Sequence, residues 1–218
     1  EGITLSNPQA VNPTFTAPEV DSATDYVISL VVNDGEYNSQ PDTVIITVNN
    51  VANPNDQVVQ LKAGWNYFAP TVQASSMKVE DLLSDLGENL VFAHDSKGKA
   101  YWPSQGINNI SQSLNPSYGL KIKVNSPQTL IVPGDPIPGN GNISLNSGTH
   151  YIGFLANKPA METVQGLIDT DALTIVYDSS NGSYIGKENG QWTNTIGTFQ
   201  KGKAYMITLS KGGSLNIK

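Results

Sequence analysis

The sequence has no cysteine, no arginine and only two histidines among its 218 residues, and only 14% of its side chains are charged. Without cysteine there are no disulfides, no thiolate metal sites and no cysteine nucleophile, so stability must come from packing. Without arginine, every one of the 12 basic residues is lysine, and the net charge is −7. Nucleic-acid binding relies on basic patches in which guanidinium groups grip phosphate or guanine, so it is excluded as an expectation, and acidic lipid surfaces are disfavoured for the same reason. The longest apolar runs, such as Tyr26 to Val32, are too short to span a bilayer, so no membrane insertion is expected. Glu1 opens no signal peptide, and the chain reads as a processed or excised fragment.

What the chain does have is 38% hydrophobic residues, 20 glycines, 13 prolines and many asparagines and serines. That mixture builds a core yet favours turns and strand ends over long helices. Residues 1–52 end in two alternating runs. Tyr26, Ile28, Leu30 and Val32 share one face, and Val44, Ile46 and Val48 do the same in the second run. A turn at Asn33-Asp34-Gly35 predicts a hairpin between them.

The segment PTFTAPEV, followed by DYVISLVVNDGEYNSQPDTVIITVNNV, resembles the second half of a PKD-type module, an Ig-like β-sandwich family of secreted and surface proteins. A whole module of that family extends further on the N-terminal side. The resemblance therefore implies half a sandwich, whose apolar face and strand edges need cover from a following domain, a neighbouring chain or an upstream segment.

After a polar boundary at NVANPNDQ, an internal repeat begins. Copy one spans residues 58–134 and copy two 142–218. Leu61, Gly64 and Tyr67 match Leu145, Gly148 and Tyr151. Leu90, Phe92, Asp95 and Tyr101 match Leu173, Ile175, Asp178 and Tyr184, and Leu120, Ile122, Val124 and Leu130 match Tyr205, Ile207, Leu209 and Leu215. Each copy predicts a strand, a short amphipathic helix, a hairpin and closing strands. The first helix carries Val79, Leu82, Leu83 and Leu86, with Ser76 as N-cap and Gly87 as stop; the second carries Met161, Val164, Leu167 and Ile168, opened by Pro159. The proline-rich stretch 133–141 predicts a stiff extended connector. The GWN opening resembles tandem repeats of bacterial secreted multidomain proteins. The expected fold is mainly β: an Ig-like β-sandwich portion, then two homologous β-rich lobes, packed about a pseudo-twofold axis.

Chemistry-bearing residues are sparse. His94 falls where copy two has Tyr177, and His150 where copy one has Asn66, so neither histidine recurs, and no G-x-S-x-G elbow accompanies them. No catalytic residue and no resident cofactor is expected. Hard-oxygen ligands for calcium come down to Asp21, Asp25, Asp34, Asp169 and Asp171 as metal candidates, although no D-x-D-x-D-G loop is present. Asp95 and Asp178 recur at the same hairpin and read as turn formers whose carboxylates accept backbone N–H groups. Aromatic stacking on sugar rings is the strongest ligand chemistry, with Tyr101, Trp102, Tyr184 and Trp192 as candidates beside Trp65. Tyr101 and Trp102 must face opposite ways if both lie in one strand.

These features predict a non-catalytic extracellular or cell-surface module of a larger protein, serving structure, adhesion or assembly. Its partners would be other domains of the same parent and, through strand pairing, neighbouring subunits. The alternative is a carbohydrate-binding module attached to an extracellular enzyme, with glycans as partners.

Overall fold

A computed structural model describes residues 3–18, 20, 23–49 and 53–218. The chain is mainly β and divides into two compact units, residues 1–51 and 52–218.

In the first unit, β1 (Thr24–Leu30) and β2 (Asp42–Val48) form one antiparallel hairpin in which Tyr26 faces Ile46 and Ile28 faces Val44. Asp34 organises the connection: its Oδ1 accepts the N–H groups of Glu36 and Tyr37, both at 2.9 Å, while Gly35 takes φ 104°. Those same two N–H groups, Tyr37 first, hold the Asp34 carboxyl below its ordinary value. Val27, Leu30, Val44 and Ile45 are more than half exposed, so apolar surface of this hairpin lies open.

The second unit begins with β3 (Gln57–Leu61), β4 (Gly64–Phe68) and β5 (Val72–Gln73), followed by the one-turn helix α1 (Val79–Leu82) and a 3₁₀ segment over Ser84–Asn89. Then come β6 (Leu90–His94), β7 (Ala100–Trp102), β8 (Ile107–Asn108), β9 (Leu120–Val124), β10 (Gln128–Val132) and β11 (Asp135–Pro136). Across the connector the order resumes with β12 (Asn142–Leu145), β13 (Gly148–Gly153), β14 (Lys158–Pro159), α2 (Ala160–Asp169) and β15 (Leu173–Tyr177). It closes with β16 (Tyr184–Glu188), β17 (Gln191–Asn194), β18 (Thr198–Phe199), β19 (Ala204–Leu209) and β20 (Gly213–Asn216).

The two halves share one topology. The sheet β4-β9-β6-β7-β8 corresponds strand for strand to β13-β19-β15-β16-β17, and the pair β3-β10 corresponds to β12-β20. Both central strands even carry the same register shift, between Leu90 and Phe92 in β6 and between Leu173 and Ile175 in β15. Each lobe buries its own core. Leu120, Ile122 and Val124 of β9 meet Val79, Leu83 and Leu86 in the first, while Ile207 and Leu209 of β19 meet Val164 and Leu167 of α2 in the second. Alternation along β9 leaves Lys121 and Lys123 on the opposite face.

One local expectation is corrected. Lys78, not Ser76, occupies the N-cap of α1; the Ser76 hydroxyl instead donates to Asp81 Oδ2 at 2.5 Å, and the helix passes into 3₁₀ geometry after one turn. Part of the connector 133–141 is extended and lies against the first lobe: Asp135–Pro136 pairs with Val72–Gln73, and Gly134 packs so closely on Gln73 that an added Cβ would lie 2.7 Å from its carbonyl oxygen.

Candidate functional site

The seam between the lobes forms where the outer faces of the two sheets meet at one corner. Tyr67 and Tyr151, the same position in the two copies, stack on each other with centroids 5.1 Å apart and planes 20° from parallel. The flanking contacts repeat this relation. Tyr177 meets Tyr67 edge-on at 6.4 Å and 75°, and His94 meets Tyr151 edge-on at 6.3 Å and 77°. His94 and Tyr177 are matched residues, so a local twofold runs through the tyrosine stack. Ala69, Ala204 and Met206 complete the small apolar cluster around it. Burial, above all, pushes the Tyr67 phenol up to about 12, with Tyr151, Tyr177 and Asp178 adding to it, and raises Tyr151 in the same direction.

Polar groups lock the seam. The buried Gln57 side chain donates from Nε2 to the carbonyls of Ala69 (2.9 Å) and Gly202 (2.8 Å), while its Oε1 accepts the Thr71 N–H at 2.8 Å. Tyr67 N–H donates to Ser179 Oγ, and Gly119 N–H to the Tyr151 carbonyl. Two clefts of about 320 and 310 Å³ flank the stack and use corresponding segments. One lies between residues 58–61 and 178–180 with 200–204; the other lies between residues 144–151 and Ser96–Lys97 with the 115–119 loop.

Asp95 and Asp178, the recurring hairpin acids, are both buried, and both accept backbone N–H groups within their turns. Their second oxygens differ. Asp95 Oδ2 accepts the Tyr118 hydroxyl at 2.7 Å, whereas Asp178 Oδ2 accepts the Lys203 ammonium at 2.6 Å. Lys203 also donates to Ser180 Oγ at 2.7 Å. Burial and the bond to Asp95 together raise the Tyr118 phenol well above its ordinary value. No buried side-chain polar atom among the described residues lacks a partner.

The outer face of the first sheet carries a different arrangement. Trp65 of β4 lies opposite Lys123 of β9, Lys123 opposite Phe92 of β6, and Trp102 of β7 opposite Ile107 of β8. Phe92 meets Trp65 edge-on at 6.3 Å and Trp102 at 5.5 Å. One continuous row thus crosses all five strands. Trp65 is 37% exposed and Trp102 38%, and the ammoniums of Lys121 and Lys123 stand 4.8 and 5.9 Å from the Trp65 ring centroid.

The four sugar-stacking candidates do not share a face. Tyr101 turns inward against the first core, and burial raises its phenol; Trp192 turns inward against the second core, with Lys187 over its ring at 5.3 Å. Trp102 and Tyr184 lie on outer faces of separate sheets, Tyr184 donating its hydroxyl to Glu188. The match of Tyr101 to Tyr184 is also corrected. Tyr101 pairs with Ala93, and its true counterpart is Ile185, which pairs with Val176. The Asp178 turn is one residue longer than the Asp95 turn, closing on Ser183 rather than on the residue equivalent to Lys99, and a one-residue slip reverses the face.

The calcium candidates are scattered. Asp25 Oδ1 accepts the Thr47 hydroxyl, Asp34 closes its own turn, Asp169 accepts from Gln165, and Asp171, at φ 52°, faces Lys187 at 3.6 Å. Asp21 lies outside the described residues. Among the described residues no three His, Asp or Glu side chains gather as a metal set. Sequence reading missed Phe92 as a surface aromatic and Lys121 and Lys123 as the cationic neighbours of Trp65; the strict alternation of β9 was the signal available for the lysines.

The chain matches no family model, no curated protein and no solved structure.

Proposed function

We propose that this chain is a non-catalytic segment of a larger extracellular or cell-surface protein, acting as a structural, adhesion or assembly module. The observation that carries this reading is the seam: two lobes with separate cores are joined through stacked Tyr67 and Tyr151 and through a fully bonded Gln57 side chain. Such a joint suits a body that holds position. The recurring acids, Asp95 and Asp178, are engaged in their turns and in bonds to Tyr118 and Lys203, which fits a scaffolding role. No helix among the described residues is long and apolar enough to cross a membrane.

Assembly in this reading runs through the N-terminal hairpin, where β1 and β2 pair with strands of a neighbouring chain. A two-stranded sheet with open apolar side chains is not self-sustaining in water, so additional strands stabilise it. Sedimentation velocity over a range of concentrations tests this on the 218-residue chain. Concentration-dependent association that disappears in Val27→Lys/Ile45→Lys supports the reading. A wild type that stays monomeric at every concentration counts against assembly through the hairpin.

The second reading, a carbohydrate-binding module, is favoured by the exposed Trp65-Phe92-Trp102 row. A glycan array separates the two readings: a chain that retains no glycan removes the second and leaves the first standing.

A further inference from the structure

The two lobes provide an internal control for the aromatic row. The corresponding row in the second lobe runs through Thr149, Thr208, Ile175, Gly186 and Thr193. The same sheet therefore folds with threonine where the first lobe has Trp65, with threonine where it has Lys123, and with glycine where it has Trp102. Packing of this fold does not demand aromatic or cationic residues there. Moreover, of the four large hydrophobic residues exposed among the described residues of 53–218, three (Trp65, Trp102 and Ile107) lie on this one row. Isolated exposed apolar residues are ordinary on a protein surface, whereas a contiguous set marks a contact site.

Charge narrows the ligand. The chain as a whole is acidic, yet the strands β4, β6, β7, β8 and β9 contain no Asp or Glu, and neither Lys121 nor Lys123 is ion-paired among the described residues. Two ammoniums beside an indole face thus form a local positive spot on a negative protein. The row crosses five strands spaced about 4.8 Å apart, so it extends roughly 19 Å over an open sheet face. That length suits an extended polymer more than a compact molecule. Aromatic side chains offer rigid apolar faces to the C–H faces of pyranose rings, and lysine attracts carboxylate.

We propose that the row Trp65-Lys123-Phe92-Trp102, together with Lys121, binds an extended glycan chain bearing uronic-acid carboxylates. Sugar rings stack on Trp65 and Trp102, and carboxylates lie between them against the two ammoniums. This inference rests on the carbohydrate-binding reading and adds to it the anionic character of the ligand and the residues that select for it.

The test is calorimetric titration of the 218-residue chain with oligogalacturonate, oligoalginate and hyaluronan fragments, and with methyl-esterified oligogalacturonate, cello-oligosaccharide and oligothymidylate as controls. Binding of at least one uronate oligomer, weakened by salt, is expected. Trp65→Thr, which installs the second lobe's own residue, and Trp102→Ala should each weaken it about ten-fold or more. Lys121→Gln and Lys123→Gln should each weaken it about three-fold and flatten its salt dependence. All four variants should melt within a few degrees of the wild type, since the second lobe dispenses with these side chains. Failure of every uronate oligomer to bind overturns the proposal, as does binding that Trp65→Thr leaves unchanged, or a preference for oligothymidylate. Equal binding of the esterified and free oligomers overturns the anionic assignment and leaves the carbohydrate-binding reading intact.

Discussion

Tyr67 and Tyr151 occupy the same position in the two copies of the repeat, and they are stacked on each other at 5.1 Å. A residue that meets its own counterpart must lie on the local symmetry axis, so one position supplies both halves of the contact. Tyr67→Ala and Tyr151→Ala should each cost about 3 kcal/mol in urea denaturation. The double variant should cost less than the sum by about 1 kcal/mol, because the first substitution already removes the stack.

Alkali should weaken the same joint. The folded Tyr67 phenol titrates near 12, against 10 for an ordinary phenol, with burial as the main cause. Its stabilising contribution is intact below about pH 10 and is lost as pH rises through the folded value, because the unfolded chain ionises first. Tyr67→Phe has no phenol to ionise. The urea midpoint of the wild type should therefore fall relative to that of Tyr67→Phe as pH is raised from 9 through about 12.

The buried hairpin acids should tolerate exchange of partner better than loss of partner. Lys203→Ala leaves the Asp178 carboxylate, now bonded at 2.6 Å, without its counter-charge and should cost about 3 kcal/mol. Lys203→Tyr, which imitates the Tyr118 hydroxyl donated to Asp95, should cost about half as much. Tyr118→Phe should cost about 1 to 2 kcal/mol, all measured by chemical denaturation.

Two glycines should respond with opposite signs. A Cβ on Gly119 would lie 2.4 Å from the Phe68 carbonyl oxygen and 2.7 Å from the Tyr151 carbonyl oxygen, at the seam itself, so Gly119→Ala should destabilise by about 2 kcal/mol. Gly166 lies within α2 with nothing within 4 Å of its Cβ position, so Gly166→Ala should stabilise by about 0.5 to 1 kcal/mol. Thermal melts of the two variants decide both.

Much of the architecture was legible because periodicity reports directly on burial. The alternation of Leu120, Ile122 and Val124 against Lys121 and Lys123 is a face assignment, and the pattern of Val79, Leu82, Leu83 and Leu86 marks the side of the first helical segment that enters the core. Repeat matching also placed His94 with Tyr177 as aromatic counterparts, and they flank the seam in equivalent contacts. It could not show that Tyr67 touches Tyr151, because equivalence in sequence says nothing about which copies of a position meet. The pairing of Tyr101 with Tyr184 failed for a local reason: one extra turn residue in the second copy shifts the returning strand and reverses its faces. Trp192 looked available for a ligand by composition alone, yet its strand turns it into the core. The aromatic row was hidden because its members come from five strands and meet only across the sheet.

The central claim is that the two lobes stand or fall together, as one cooperative unit joined through the Tyr67-Tyr151 seam. Tryptophan allows each lobe to be watched separately, since Trp65 and Trp102 lie in the first and Trp192 in the second. Equilibrium urea unfolding should be followed by fluorescence in Trp192→Phe, which reports the first lobe, and in Trp65→Phe/Trp102→Phe, which reports the second, with far-ultraviolet circular dichroism of each variant as reference. The account predicts that in each variant the fluorescence and dichroism transitions coincide for the 52–218 unit. Two separated transitions, with one lobe unfolding while the other stays intact, would contradict it.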